Sequence, residues 1–284
     1  MKVELIRSNA HRYPISALCR ILKVNRSTVY VCAQSPKTQG DEETLKDHVQ
    51  KIFSENEKVY GTRKLKVELE KSGEIVSRRR IGRIMRELGL VSVYTIALFR
   101  VQKATCNEDP VSNRLNREFR TTEPRTAIVS DLTYVRVGHQ WNYICLLTDL
   151  FNREVIGYSC GRYKEADLVL RAFAKVKGSL EDIQLFHTDR GSEFKNEKIN
   201  DVLKVFHIQR SLSMKGCPYD NAVAKATVKL IKMEFVYQRR FATLDQLEIE
   251  LERYLNWFNT KRIHSTLGYL CPVEYKTIAL NNFV

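Results

Sequence analysis

From residue 126 the chain changes its hydrophobic period, and that change constrains the fold more than any other feature. TAIVSDLTYVRV (126–137), QWNYICLLTDL (140–150) and REVIGYSC (153–160) are three β-like runs with short breaks, which predicts an antiparallel meander. A helix over about 164–177 then leads to a strand, IQLFHTD (183–189). Next come a helix over about 194–206, a strand HIQRSLS (207–213), and helices over about 221–238 and 243–259. A meander followed by alternating helices and strands predicts an α/β domain on a mixed sheet.

The preceding residues have helical spacing throughout. Ile15, Leu18, Cys19 and Leu22 share one face, Lys23-Val24-Asn25 breaks the pattern, and Ser27 is placed to cap a second helix. Helix, tight turn and helix make a helix-turn-helix pattern. SPKTQGDEE (35–43) reads as a linker, and YGTRKLKVELEKSG (60–73) as an amphipathic helix closed by Ser72-Gly73. Ser77 then caps RRRIGRIMRELGL, whose Ile81, Ile84, Met85 and Leu88 form an apolar face. Arg78, Arg79 and Arg80 fall in the first turn, where the helix dipole disfavours cations, so an external anion such as DNA phosphate would relieve them. Residues 91–125 read as an irregular connector.

Composition points the same way. Forty-seven Lys and Arg against 33 Asp and Glu give a net charge of +14. Such an excess suits a polyanion, nucleic acid first among them. Residues 1–110 carry 21 basic and 13 acidic side chains, a net of +8, and residues 111–284 carry 26 and 20, a net of +6. The N-terminal part is therefore the more basic per residue. No apolar run approaches the roughly 18–20 residues that span a bilayer, and the N-terminus lacks a signal-peptide core. Seven cysteines without a C-x-x-C pair fit neither a zinc knuckle nor a disulfide framework, and read as reduced thiols of a cytoplasmic protein.

Asp131 lies within the first β-like run and Asp189 ends the fourth. If those strands are neighbours, both carboxylates meet at one sheet edge. Paired oxygen ligands of this kind suit Mg2+ or Mn2+ and form the core of two-metal phosphoryl transfer.

SDLTYV (130–135), HTDRGSEF (187–194), SMKGCPYDNAVA (213–224) and YLNWFNTKRIHSTLGYLCPVEY (254–275), in this order and spacing, strongly resemble the bacterial insertion-sequence transposases of the retroviral-integrase, or DDE, superfamily. YGTRKL and IGRIMRELGL resemble the DNA-binding segment that precedes the core in that group. The resemblance covers nearly the whole chain. It implies a helix-turn-helix segment at 1–35, a helical DNA-binding segment at 41–100 and an RNase H-like integrase core at 120–284. It further implies cutting and joining of double-stranded DNA at element ends and target, by a homo-oligomer using Mg2+ or Mn2+ held by two Asp and one Glu. Some relatives also work with an upstream helix-turn-helix partner protein.

The first two acids carry over to Asp131 and Asp189. The third belongs on the helix after PYDNAVA with thirty-five residues between it and Asp189, and that position is Lys225. An ammonium has no lone pair to offer a cation and repels it. Glu234, nine residues on, lies half a turn out of phase, Asp220 is read as a helix cap, and in the family Glu193's position stands outside the metal triad. Ile128 also departs, standing where many relatives carry Trp. Lys225, Lys229 and Lys232 follow i, i+4, i+7 and form a basic stripe. Lys229, Lys232 and Arg262, with Arg78, Arg79, Arg80 and Arg83, are the expected DNA contacts, while His264 is expected to be structural. Two readings follow: a strand-transfer enzyme impaired at Lys225, or a non-catalytic relative that binds element ends or inhibits an active transposase.

Overall fold

The structure, a computed structural model, describes residues 2–34, 39–95 and 111–281. Parts of the expected linker (35–38) and connector (96–110), with Cys106 and the side chain of Cys32, lie outside the described residues. Two compact units divide after Ile52. The division falls inside helix α4 (Gln39–Glu55).

In the first unit α1 (Lys2–Asn9), α2 (Ile15–Leu22) and α3 (Arg26–Gln34) close on Ile6, Cys19 and Val29, with Leu18 and Leu22 packed alongside. Lys23, at φ 51, makes the left-handed turn that ends α2. One detail departs from expectation. The N–H groups of Thr28 and Val29 already bond to the Asn25 carbonyl, so α3 begins at Arg26 and Ser27 sits inside its first turn rather than capping it. Helix α1 was not foreseen, because its polar sequence buries one side chain, Ile6.

The second unit opens with α5 (Thr62–Lys71) and α6 (Arg78–Glu87). Gly73, at φ +86, turns the chain after α5 in a conformation that β-carbons disfavour. Ser77 Oγ accepts the Arg80 N–H at 3.3 Å, as its cap position requires, and Ile81, Ile84 and Met85 are buried.

Five strands follow: β1 (Ala127–Val137), β2 (Gln140–Asp149), β3 (Val155–Gly161), β4 (Leu185–Thr188) and β5 (Gln209–Leu212). Their order is β3-β2-β1-β4-β5. The first three form the antiparallel meander, and β4 and β5 join it in parallel, so the sheet is mixed. Parallel neighbours need crossovers, which α7 (Ala166–Ala174) and α8 (Glu197–Val205) supply. Side chains alternate across β1. Ile128 points into the core with Phe173, Phe186 and Leu203, while Ala127 and Val129 point the other way, onto Ala224 of α9 (Ala222–Glu234). Apolar Ile128 therefore fills its place in the core. Helix α10 (Leu244–Thr260) follows, then α11 (Pro272–Asn281), which the sequence pattern did not reveal. The five cysteines with described side chains are free thiols, four of them buried.

Candidate active site

The sheet brings the two aspartates together. Strands β1 and β4 pair Ala127 with Leu185, Ile128 with Phe186 and Val129 with His187. The same register carried two residues further sets Asp131 against Asp189. By the two-residue period Asp131 shares the face of Ala127 and Val129, the one that α9 covers. Helix α9 is pinned there by the residue that precedes it. Asn221 Nδ2 donates to the Ser130 carbonyl at 2.9 Å, one residue from Asp131.

Lys225, one turn further along α9, enters this pocket. Its ammonium lies 3.8 Å from Asp189 Oδ2, with both side chains about one-third exposed. The other Asp189 oxygen accepts the Gly191 N–H at 3.0 Å. Asp131 accepts only the N–H of its neighbour Leu132, at 3.0 Å. Burial raises the Asp131 carboxyl to about 6; the Lys225 charge opposes that shift and Asp189 adds to it. A carboxyl at this value is poised near neutrality because water has been stripped from it and a second carboxylate stands nearby.

The surroundings are built from buried polar groups. His187 is held between Ser211 (2.8 Å) and Ser213 (3.2 Å), and burial lowers it to about 4, so it is neutral at pH 7. Glu193 is buried and paired with Lys164 at 3.0 Å. Burial raises its carboxyl, and it points at Lys164 rather than sharing a cation with the aspartates. Asp220 does not cap α9. Its oxygens accept from Arg117 Nε at 2.7 Å and from the Met214 N–H at 2.9 Å, and so tie the loop before the helix to the chain before β1.

Glu234 faces away from the aspartates, as its phase requires, and is fully buried. It takes Arg262 through Nε at 2.8 Å and Nη2 at 2.6 Å, Tyr254 at 2.7 Å, and the Tyr94 hydroxyl. Two expected DNA contacts need correction here. Arg262 is 4% exposed and committed to Glu234, so it presents no surface to a duplex. Lys232 is buried as well, its ammonium 4.0 Å above the Tyr134 ring, because the β1–β2 hairpin covers that end of the helix. Of the lysine stripe, Lys229 alone is exposed and Lys225 is half-buried. Arg78 and Arg79 are exposed on α6, Arg80 is half-exposed, and Arg83 pairs with Glu87 at 3.5 Å. His264 is buried against Phe258 and Arg262, with its basicity lowered to about 2 by burial and the adjacent guanidinium.

Comparison with known proteins matches these pieces to families. An HTH-like domain matches residues 40–95, an integrase core domain matches 121–218, and a second integrase core family matches 226–280. The insertion element IS600 31 kDa protein of Shigella sonnei is 30% identical over 269 residues, 91% of this chain and 97% of that one. The putative transposase of element IS150 from Escherichia coli is 28% identical over 93% of this chain and 94% of its own. The chain belongs to the insertion-sequence transposases. A magnesium complex of the HTLV-2 integrase catalytic core is similar at a TM-score of 0.43 and 16% identity, covering 54% of this chain and 97% of that one.

This transposase-family chain departs from a metal site in its donor set. Two carboxylates face each other, but the third position supplies an ammonium, already within ion-pair distance of Asp189. No cluster of three His, Cys, Asp or Glu in metal-binding geometry occurs among the described residues. The residues present do not fit a two-cation site. Sequence reasoning found both aspartates and Lys225, and missed the Asn221 tie to β1, whose only signal was its place in PYDNAVA.

Proposed function

We propose that this chain is a DNA transposition protein, acting at insertion-sequence ends, whose strand cleavage and transfer are impaired by Lys225. The observation that carries this reading is the Lys225 ammonium, 3.8 Å from Asp189, where an acidic ligand belongs. The ion pair fills the pocket with charge of the wrong sign for a divalent cation, and Asp131, raised to about 6, is a poorer anion than a free carboxylate. Substituting Lys225→Glu exchanges a repelling charge for an oxygen donor. The test is Mg2+- or Mn2+-dependent cleavage of element-end DNA by both proteins. Cleavage gained by the variant supports the reading. Equal activity of the two proteins, or none in either, overturns the assignment of the defect to Lys225.

The partner is double-stranded DNA. The +14 charge and the exposed Arg78 and Arg79 on a helix of the HTH-like match support it. Binding that depends on phosphate contacts falls as salt rises, because counterions are released. Arg79→Glu weakens binding to all sequences alike if that side chain meets phosphate only. A flat salt response overturns this part. The exposed arginines also favour a second reading, in which the chain holds element ends or inhibits an active relative without cutting. Segments 1–35 and 41–100 would then deliver DNA to the 120–284 core, within a cytoplasmic homo-oligomer that includes an upstream helix-turn-helix partner where one exists.

A further inference from the structure

The β1–β2 hairpin carries an open aromatic ring. Trp141 is 56% exposed, whereas the chain's other tryptophan, Trp257, is buried. The Trp141 ring meets Tyr134 edge-on, with centroids 5.2 Å apart and planes at 87°. Arg136 lies directly across the ladder from Trp141, so the two share a face, and Arg136 is exposed as well. Tyr134, two residues before Arg136, belongs to that face too, and the Lys232 ammonium sits 4.0 Å over its ring. Burial lowers the basicity of Lys232 and the Asp131 charge opposes that shift, so this cluster adjoins the aspartate pocket.

A cross-strand aromatic pair steadies a hairpin, but more than half of Trp141 takes no part in the contact. The chain around it carries no negative charge. No Asp or Glu occurs over 132–148 or over 235–244, the two segments that meet at the Val137–Phe241 bridge. Arg136 and Arg240 are exposed in these segments, while Arg239 is spent on Glu57 at 2.6 Å. A flat ring beside a cation fits the two parts of an unpaired nucleotide, since the base stacks on the ring and the phosphate meets the cation. A duplex keeps its base faces covered and cannot use the ring. The acid-free, cationic border favours a polyanion over an apolar protein face.

Building on the DNA-transposition reading, we propose that Trp141 stacks an unpaired DNA base, with Arg136 on the adjoining phosphate. The hairpin then holds a single-stranded stretch of DNA beside the aspartate pocket. Duplex binding through Arg78 and Arg79 is a separate event, and no cleavage assay enters the test.

Tryptophan fluorescence of the full chain reads the site, because Trp257 is buried. A short single-stranded oligonucleotide quenches the emission, and the blunt duplex of the same sequence does not. The quench is absent from Trp141→Phe. Anisotropy of the labelled oligonucleotide gives the affinities. Trp141→Ala weakens single-strand binding by about tenfold, whereas Trp141→Phe, which keeps a stacking ring, retains most of it. Arg136→Gln reduces the slope of affinity against salt by about 0.7, the share of one phosphate. Binding of the blunt duplex is unchanged in all three variants. No quench by the single strand while the duplex still binds overturns this proposal and leaves the DNA reading standing. Loss of binding to both overturns the two together. Equal quenching by the blunt duplex, a quench that persists in Trp141→Phe, or unchanged single-strand affinity in Trp141→Ala overturns it as well. Acrylamide supplies a control on the unmodified, DNA-free chain. Shielding of Trp141 that grows with protein concentration would put a second copy of the chain on the patch, and the proposal would fail.

Discussion

The two ends of α9 each carry a pairing between a basic side chain and a carboxylate, and the two pairs are opposites. At the C-terminal end Glu234 is 1% exposed and takes two Arg262 nitrogens and two tyrosine hydroxyls, so every charge is matched by a hydrogen bond. At the N-terminal end Lys225 reaches Asp189 at 3.8 Å, too long for a hydrogen bond, with water access to both. The first pair holds the segment around Tyr94 to the core. The second is loose: Asp189 is placed at the end of β4, and its other oxygen already accepts the Gly191 N–H. A charge pair that builds structure saturates its donors and acceptors; the pair at Lys225 leaves them open.

The largest effect expected from this contrast is at Glu234. Glu234→Ala strands a buried guanidinium and removes the acceptor of Tyr94 and Tyr254. Breaking one partner of a buried pair costs about 3–5 kcal/mol. Urea denaturation of the full chain measures it. A loss below about 1 kcal/mol would place this pair in the same class as the one at Lys225 and dissolve the comparison.

One buried group at each end, Asp131 and His264, responds oppositely to acid. Asp131 is raised from 3.8 to about 6, so its contribution to stability is full below pH 3.8 and is lost as pH rises through 6; the difference amounts to up to about 3 kcal/mol. His264 is lowered from 6.5 to about 2, so its contribution is present above pH 6.5 and is lost progressively as pH falls. His187, lowered to about 4, acts in the same direction as His264. Denaturation midpoints between pH 4 and 7 separate the two. Asp131→Asn steepens the loss of stability in acid, and His264→Leu flattens it. Slopes of the reverse sign would contradict the burial of one of the two groups.

How much of this the sequence disclosed follows from the range of each signal. Strand runs 127–137 and 140–149 were legible because period two is local, and Asp131 followed from the first of them, as Asp189 did from the end of the separate run 183–189. The β1–β4 pairing was legible only as a condition, since no local pattern states which strands become neighbours. Lys232 shows the limit clearly. Its helical phase groups it with Lys225 and Lys229, but phase is silent on the Tyr134 ring, brought over the helix by a hairpin almost a hundred residues earlier. Arg262 shows the same limit: a motif arginine suggests a ligand, while its partner Glu234 sits 28 residues away at the end of α9. Helices α1 and α11 escaped because each buries only one side chain, which leaves little apolar face to detect.

The smallest stability effect is expected at Lys225 itself, and it sharpens the comparison most. Lys225→Met keeps an unbranched side chain only one atom shorter and removes its charge. The pair it breaks is long and one-third exposed, so stability changes by no more than about 1 kcal/mol. The carboxylates nevertheless feel the loss, because Lys225 is the strongest influence holding Asp131 down against burial and Asp189. Without it, the Asp131 carboxyl titrates above about 6. Carbon-13 NMR of labelled aspartate follows that titration, and urea denaturation follows stability, in one preparation. A change of several kcal/mol with Asp131 unmoved would make Lys225 a structural residue like Arg262. A small change with Asp131 shifted upward leaves it as a charge lodged in a pocket that the fold holds without its help.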